Sequence, residues 1–522
     1  MGTFLQKHAS FVMGVLSGFD RLVFRGHLRR IAFVEGMMSY LQAAHVLFKD
    51  FSNHVQSVSE RLKETSLAYA TRACRPVQYL PSSATDKDRE ARRIAERDRV
   101  REGLVCVLTC VEPCMSFDIH RNRETRRLQL VARQRKCLFY YHYSIHPIFG
   151  FMNARIQTWF PFTIQLCLNG REWLSRQMDE AGIAYQRRDN CFTWIEDQRK
   201  AQELMDSQLR TSWPSLLTDI ARTLNPAHKE IFKDFSSEYY WSVYQSEWAT
   251  DVLFRSCHDL ARLYPSLVYH AVATFSSPDV LRFLGRRIPP EGTIPPAFAG
   301  EVVTDLKHRP EGIRVKHRVK SNSIKMYDKQ GSVFRIETTI HDASDFKTYR
   351  RKEADNDGPL SWLPLRKGIA DLHRRAEVSQ AANKRYLDAL AAAHCSIPVK
   401  DLTDPLCRPI QYHGKRVRAL NPYAPEDAAL LQAISRGEFT INGFRNRDIR
   451  ALLFATGQNS DTDKRRQSAV ITRKIRLLRA HGLVSKVPKT HRYILTPKGR
   501  AAITALLTIR NTDTEALTKL AA

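Results

Sequence analysis

Residues 425–522 constrain the fold of this chain more than any other stretch, because each element there begins and ends on a recognisable signal. Three helices are predicted at 425–434, 446–455 and 461–481, and Gly482 follows the third as the residue type preferred just past a helix end. Two short strands at 483–487 and 492–495 come next, and Thr496-Pro497 begins a last helix. The predicted order is therefore three helices, a strand pair and a helix.

The third helix, 461–481, is strongly basic. Val470, Ile475 and Leu478 form an apolar seam along it and leave the cations on the other side. The candidate nucleic-acid-binding residues lie on this helix and in the strand pair after it: Arg465, Arg466, Gln467, Arg473, Lys474, Arg476, Lys489, His491 and Arg492. Such cations bind phosphates through counterion release, and the alternative interpretation is a solvated basic helix face.

This C-terminal pattern resembles the winged-helix domains of MarR-type proteins. The resemblance covers 425–522 and depends on three features: the IxxLxxxGLV ending of the third helix, the strand pair, and the LTxxG entry to the last helix. It implies a winged-helix domain whose basic helix enters the major groove and whose strand pair, the wing, contacts the DNA backbone. Winged helices also serve as protein-interaction modules, so this use stays open.

A second stretch, 316–350, predicts a β-hairpin. Strand-like runs at 323–327 and 333–340 flank the turn signal Asp-Lys-Gln-Gly at 328–331. Alternation places Ile324, Met326, Phe334 and Ile336 toward a core, and it gathers four reactive side chains on the opposite side: Lys325, Tyr327, Arg335 and Glu337. The cations could hold a phosphodiester, the carboxylate a metal, and the tyrosine could act as a nucleophile. A solvated sheet face with cross-strand ion pairs is the alternative.

The run SNSIKMYDKQGSVFRIETT is similar to a short signature of rolling-circle replication initiators. The matching positions are Tyr327, Asp328, Lys329, Arg335 and Glu337. The resemblance implies a nicking domain in which a divalent metal, Mg²⁺ or Mn²⁺, and a tyrosine cleave one DNA strand through a covalent phosphotyrosine. The candidate catalytic residues are thus Lys325, Tyr327, Lys329, Arg335 and Glu337.

Other parts of the chain offer further candidate ligands. Asp20 lies within a predicted buried strand, 11–28, and is a candidate metal ligand together with Glu337, although an ion pair with Arg21 or Arg25 would also explain it. Glu247 and Asp251 have i, i+4 spacing in a segment, 236–254, that we interpret as a helix, so they would share one helix face.

Cysteines and histidines give weaker metal-site signals. Cys106, Cys110 and Cys114 are spaced four apart, but they lie among apolar residues without a CxxC pair, which favours a core segment. The paired-histidine motif of the nicking enzymes is not found cleanly. His142 and His146 are four apart on a predicted strand, about 13 Å from each other. Their aromatic surroundings at 139–143 favour a packed or nucleic-acid-stacking surface instead.

The charge of the chain favours a polyanionic partner. Lys and Arg number 82 against 54 Asp and Glu, a formal net charge of +28 distributed along the whole sequence. Nucleic acid is the first candidate, DNA before RNA, and an anionic membrane surface is second. No apolar run is long enough to cross a membrane, a secretory signal is not indicated, and unpaired cysteines suit the cytoplasm. No phosphate-binding P-loop is evident, so a nucleotide cofactor is not expected.

Together these patterns predict an α+β protein, with antiparallel or mixed sheets and packed helices, followed by a C-terminal winged-helix domain. The predicted organisation is a basic α+β domain at 1–285, a Pro-rich linker or loop at 286–300, a continuation of the α+β region at 301–398, a basic linker at 399–424, and the winged helix at 425–522.

Three functions remain open. The first is a replication initiator or transposase-like nuclease of a mobile element or plasmid, with metal-dependent strand nicking or transfer. The second is a non-enzymatic MarR-type regulator with a large N-terminal region, and the third is an RNA-binding protein. The length of 522 residues favours the first over the second, because a simple regulator needs only about one domain. The oligomeric state is open, a homodimer included.

Overall fold

The structure of this protein is a computed structural model that describes residues 3–286, 301–310, 312–352, 358–391, 399–436, 439, 443–454, 460–488 and 490–511. Parts of the sequence predictions fall on other residues, among them Ala455 of the second predicted C-terminal helix. Residues 287–300 of the Pro-rich linker and the candidate phosphate contact Lys489 lie outside the described ranges.

The chain forms two compact units, each built from separate segments of sequence. Unit 1 comprises residues 1–14, 252–338 and 380–522, and unit 2 comprises residues 15–251 and 339–379. Each unit combines helices with sheet, so the protein is of the mixed α and β class. Among the helices of the described ranges, none has both the length and the apolar character that a membrane span requires.

The helices in chain order are α1 Thr3–Lys7, α2 Val34–Ala43, α3 Phe51–Arg72, α4 Lys87–Arg97, α5 Gly170–Glu180, α6 Gln198–Ser207, α7 Trp213–Leu224, α8 His228–Ile231, α9 Cys257–Ala273, α10 Ser277–Phe283, α11 Leu372–Leu390, α12 Val399–Thr403, α13 Pro425–Ile434, α14 Asn446–Leu453, α15 Asp461–Ala480 and α16 Pro497–Asn511.

The strands in chain order are β1 Val12–Leu28, β2 Val77–Tyr79, β3 Gly103–Arg121, β4 Leu128–His146, β5 Gly150–Gln157, β6 Ile164–Asn169, β7 Tyr185–Arg188, β8 Cys191–Ile195, β9 Tyr239–Phe254, β10 Val302–Arg309, β11 Gly312–Val319, β12 Asn322–Lys329, β13 Val333–Ile340, β14 Lys347–Arg350, β15 Ser361–Pro364, β16 Ile410–Tyr412, β17 Lys415–Val417, β18 Val484–Lys486 and β19 Tyr493–Leu495.

The sheet of unit 2 has the strand order β9, β1, β6, β5, β4, β3, β2. The pairs from β1–β6 through β3–β4 are antiparallel and β2–β3 is parallel, which makes the sheet mixed. Leu22, Phe24 and Leu28 alternate along β1 and are buried, because β-strand side chains point to opposite faces in turn. Helices α2 and α3 cover this side, where Leu28 joins a cluster that includes Leu41 and Leu62.

The sheet of unit 1 contains the predicted hairpin. Its order is β10, β11, β12, β13, with antiparallel pairing from β10 to β12. The hairpin strands are longer than expected on one side, because β12 continues through Lys329 and the turn lies at Gln330 and Gly331, both with positive φ. Helix α9 packs on β11, where the Tyr264 hydroxyl donates a 2.6 Å hydrogen bond to the Ile313 carbonyl.

The C-terminal segment of unit 1 has the predicted order of elements. Helices α13, α14 and α15 precede the antiparallel pair β18–β19 and helix α16. Ile434, Ile449, Ile475 and Leu495 share one buried core across these elements. Gly482 has a φ of +73°, which is the left-handed conformation expected of a residue just past a helix end.

Two local predictions are wrong. The segment 236–254 is the strand β9 and not a helix, because its aromatic and β-branched residues favour a pleated surface over a helix. The predicted seam of α15 also shifts by one residue: Ile471 is fully buried beside Ile475 and Leu478, whereas Val470 is only half-buried.

Candidate functional site

The hairpin β12–β13 in unit 1 brings together four of the five predicted catalytic residues. The Lys325 ammonium forms an ion pair and hydrogen bond with Oε1 of Glu337, and the Tyr327 hydroxyl donates a 2.6 Å hydrogen bond to Oε2. The Arg335 guanidinium carbon lies 6.0 Å from the centre of the Tyr327 ring. We call Lys325, Tyr327, Arg335 and Glu337 the hairpin cluster. Lys329, the fifth residue, lies about 7 Å further along the same strand face.

The hairpin cluster is buried, so the alternative interpretation as a solvated sheet face is wrong, although the cross-strand ion pair that it included is present. Arg335 and Glu337 are at most 1% exposed, and Tyr327 is 8% exposed. Burial alone would raise the pKa of Glu337, but the Lys325 charge, the hydrogen bonds from Lys325 and Tyr327, and the Arg335 charge outweigh it and hold the pKa at about 2. The carboxylate is therefore ionised and neutralised by cations on its own hairpin.

Glu337 is one of the carboxylates whose oxygens could bind a metal ion, and its role as a metal ligand stays a prediction. Both of its carboxylate oxygens already accept hydrogen bonds within the hairpin, one from an ammonium group that occupies a cation position. A metal ion at that carboxylate would have to displace Lys325. The hairpin cluster therefore behaves as a closed ionic network.

Asp20, the other predicted metal ligand, is buried in β1 of unit 2. Nδ2 of Asn190 donates to both of its carboxylate oxygens, at 2.8 and 2.9 Å, and Nε of Arg171 lies 3.9 Å from Oδ1. Arg171, a residue far away in sequence that no local pattern could identify, thus contributes a cation near Asp20.

Glu247 of β9 supplies a second carboxylate in the same unit. One of its oxygens and one of Asp20 lie within 4.8 Å of each other, a separation that one divalent cation could bridge through oxygen ligands. Asp251, by contrast, accepts a 3.0 Å hydrogen bond from Nη2 of the fully buried Arg171. Because Glu247 and Asp251 lie on a strand, they are about 13 Å apart along it, and the predicted metal pair on one helix face is wrong.

The cysteine series belongs to the core of unit 2. Cys106, Cys110 and Cys114 lie on β3 and pack in one apolar cluster with Cys137 of β4. Four-residue steps along a strand separate their sulfurs too far for one metal ion. Burial raises the pKa of the Cys106 thiol to about 12, as expected of a structural cysteine.

The aromatic strand 139–143 is also packed and does not offer a stacking surface. Tyr140 and Tyr141 are at most 8% exposed, and His142 is fully enclosed with its ring between those of Tyr69 and Tyr140. Burial lowers the pKa of His142 to about 4, so this imidazole is neutral near pH 7. His146, at the end of β4, is half-buried and lies four residues away on the strand.

The basic helix α15 has the opposite character from the hairpin cluster. Arg465, Arg466, Arg473 and Arg476 are exposed, and among the described residues no ion pair involves any of them. Arg465 and Arg476 lie about three turns apart, and Arg466 and Arg473 about two, so the four share one side of the helix. We call these four residues the α15 arginine face.

The other candidate nucleic-acid-binding residues of the C-terminal segment differ from the α15 arginine face in exposure or in ion pairing. Lys474 is paired with Glu426 of α13 at 3.3 Å, and Gln467 is half-buried. His491 is exposed and Arg492 half-buried in the turn between β18 and β19. Asn446 of α14 fixes α15 by donating to the Ser468 carbonyl.

Comparison with protein-family models, with curated proteins and with solved structures finds no match. The geometry of the described residues is therefore the basis for assigning a function.

Proposed function

We propose that this protein binds duplex DNA through its C-terminal segment, with α15 in the major groove and the β18–β19 pair against the backbone, in the manner of a winged-helix domain. The observation that carries the proposal is the α15 arginine face: four exposed guanidinium groups on one side of a helix whose opposite side is buried.

The local structure supports a rigid recognition helix. Ser460 and Asp463 cap its start reciprocally, with the Asp463 amide donating to the Ser460 hydroxyl and the Ser460 amide donating to the Asp463 carboxylate. Ile471, Ile475 and Leu478 anchor the inner side in the core. A helix held in this way can present its outer cations to a phosphate backbone without first being ordered.

The test is titration of a labelled duplex with the full chain and with the double variant Arg473→Ala/Arg476→Ala. Loss of two phosphate contacts should weaken binding by about 10- to 100-fold and flatten the slope of log affinity against log salt by about 2. The matched control is Arg199→Ala/Arg262→Ala, which removes two exposed arginines from other helices. Equal losses in both variants, or no loss in either, would contradict the proposal.

A second candidate function is metal-dependent DNA strand cleavage, favoured by the contact between the Tyr327 hydroxyl and the ionised Glu337. In this proposal the Tyr327 oxygen forms a bond to a backbone phosphorus, the bond from that phosphorus to one sugar oxygen breaks, and the sugar oxygen leaves as a hydroxyl carrying the tyrosine proton. In unit 2, Asp20 and Glu247 would hold Mg²⁺ or Mn²⁺, whose chemistry is charge neutralisation at a phosphate.

The two halves of this second proposal have separate tests. Labelled single-stranded DNA incubated with Mn²⁺ or with EDTA should leave label on the protein only with metal, and Tyr327→Phe should abolish that label while Tyr264→Phe retains it. Mn²⁺ binding, measured by electron paramagnetic resonance, should fall in Asp20→Asn. Label retained by Tyr327→Phe, or unchanged Mn²⁺ binding, would contradict the respective half.

A further inference from the structure

The half-exposed side of β1 in unit 2 carries Arg25 and a histidine at alternate positions. Leu22, Phe24 and Leu28 point into the core, so Arg25 and His27 lie on the opposite side of the sheet. Arg29 follows directly after the strand and is exposed.

Aromatic rings hold two of these guanidinium groups in fixed planes. The Arg25 guanidinium lies 3.6 Å from the ring centre of Tyr244, and that of Arg29 lies 3.1 Å from the ring centre of Tyr240, both on the neighbouring strand β9. Stacking leaves the edge of a guanidinium, with its N–H donors, directed away from the ring. In Arg25 that edge donates to Oε1 of Gln165, from Nη2 at 2.6 Å and from Nε at 3.0 Å. An arginine on a ring is thus ordered before it meets a ligand.

A lysine and a histidine come from the segment 339–379 of the same unit. The Val243 amide donates a 2.7 Å hydrogen bond to the Lys367 carbonyl, and Ser242 forms a β-bridge with Gly368, which fixes Lys367 beside β9. The His341 ring packs edge-on against Tyr244, with 4.6 Å between the ring centres. We call Arg25, His27, Arg29, His341 and Lys367, with Tyr240 and Tyr244, the Arg25 face.

The arginine and lysine charges of the Arg25 face act on its two imidazoles, which are neutral near pH 7. Burial and then the charges of Arg25 and Arg29 lower the pKa of His27, and burial with the charges of Lys367 and Arg25 lowers that of His341. Among the charged groups that act on His341, Asp342 is the one carboxylate, and its charge raises the pKa of His341 and so opposes this lowering. An ordinary solvated sheet face would pair opposite charges across strands, whereas this one concentrates a single sign.

We propose that the Arg25 face binds phosphate groups of a nucleic-acid backbone, as a second contact surface besides α15. A bound phosphodiester would balance the charges of Arg25, Arg29 and Lys367, and the planar guanidinium edge of Arg29 matches a pair of phosphate oxygens. The choice of nucleic acid as the source of phosphate rests on the proposed function. The site itself rests on the stacked geometry in unit 2.

The test uses the full chain carrying Arg473→Ala/Arg476→Ala, so that the contribution of α15 is already removed. In that background Arg29→Gln/Lys367→Gln should weaken binding of a labelled single-stranded oligonucleotide by roughly 5- to 30-fold and flatten the salt slope by about 1.4, for two phosphates of a single strand. Both residues are exposed, so the substitutions should leave the fold intact. The control is Arg199→Gln/Lys229→Gln, which removes the same charges elsewhere in unit 2.

The outcomes separate the two proposals. No change in Arg29→Gln/Lys367→Gln, or an equal fall in the control, overturns the Arg25 face and leaves α15 as the interface. Binding of inorganic phosphate that depends on these residues, without oligonucleotide binding, overturns the nucleic-acid assignment. Failure of the unsubstituted protein to bind either duplex or single strand overturns both proposals.

A conservative variant checks the role of stacking. Arg29→Lys keeps the charge but loses the planar fork stacked on Tyr240, so oligonucleotide affinity should fall by roughly threefold or more while the salt slope stays nearly unchanged. An affinity equal to that of the parent would show that charge alone acts at this position and would overturn the stacked-guanidinium geometry as the basis of the site.

Discussion

The hairpin cluster and the α15 arginine face use the same kinds of charged side chain in opposite ways. In the cluster, Glu337 sits between Lys325 and Tyr327 inside unit 1, and both its oxygens are satisfied there. On α15, Arg473 and Arg476 face outward, and no described residue forms an ion pair with either. The Glu337 charge is balanced by cations within the hairpin cluster, whereas the charges of the α15 arginine face are exposed and available to a binding partner.

This difference separates structural from interfacial charge. Removing one member of a buried ion pair leaves the other unpaired in a poorly solvated place, which is costly to the fold. Removing an exposed cation costs the fold little but takes a contact from a polyanion. Stability and affinity measured on the same variants therefore distinguish the two regions.

The largest effect is expected for Lys325→Met. It leaves the buried Glu337 without its ammonium partner, and we expect the free energy of unfolding to fall by about 3 kcal/mol, measured by urea denaturation. The matched control is Lys307→Met on β10, whose ion pair with Asp305 is 3.6 Å long and whose side chain is 56% exposed; it should cost at most about 1 kcal/mol. Similar losses in both variants would show that the cluster is not a closed ionic network.

The next effect is the dependence of stability on pH. The folded pKa of Glu337 is about 2, against an ordinary 4.5, so its contribution is complete above pH 4.5 and is lost as pH falls toward 2. Within that window Glu337→Gln should reduce the slope of unfolding free energy against pH by at most about 1.4 kcal/mol per pH unit. Glu230→Gln, which changes an exposed carboxyl, is the control. Parallel pH curves for the Glu337 variant and the unsubstituted protein would contradict the depressed pKa.

The sequence predicted the elements of both regions better than their surroundings. Alternation in 323–340 identified the side chains that share a face with Glu337, and the seam at Ile475 and Leu478 identified the outer side of α15. Neither pattern shows whether other elements of the fold pack over that face and bury it. For that reason a solvated sheet face remained an alternative for the hairpin, although Arg335 and Glu337 are fully buried.

The wrong helix at 236–254 has a related physical cause. Positions i and i+4 share a face on a helix and also on a strand, so the spacing of Glu247 and Asp251 fits both. The β-favouring composition of the segment is the signal that would have distinguished them. Likewise, basic residues at alternate positions near Arg25 indicate one face of a strand, but stacking on Tyr244 depends on a strand distant in sequence.

The ion pair of Asp427 with Arg418 is intermediate between the hairpin cluster and the α15 arginine face, because one partner is buried and the other is exposed. Its side chain is 2% exposed and accepts from both Nη atoms of Arg418, which is itself 56% exposed, and the pKa of Asp427 is lowered. Asp427→Asn should cost about 1.5 kcal/mol, less than Lys325→Met because solvent compensates Arg418. Glu426→Gln, at the adjacent position and 85% exposed, should cost at most about 0.5 kcal/mol. Equal losses of unfolding free energy in Asp427→Asn and Glu426→Gln would mean that burial does not determine how much each ion pair stabilises the fold.

The smallest effect on stability is expected for Arg473→Ala/Arg476→Ala, the variant with a large expected loss of duplex affinity. Both side chains are exposed, and alanine has at least as high a helix propensity as arginine, so the free energy of unfolding should stay within about 0.5 kcal/mol of that of the unsubstituted protein. Urea unfolding gives the free energy of unfolding, and duplex titration of the same preparation gives the DNA affinity. A loss above about 1 kcal/mol would place these arginines among the residues that hold the helix in its core. Weaker DNA binding would then report a disturbed fold, and the contrast with the hairpin cluster would fail.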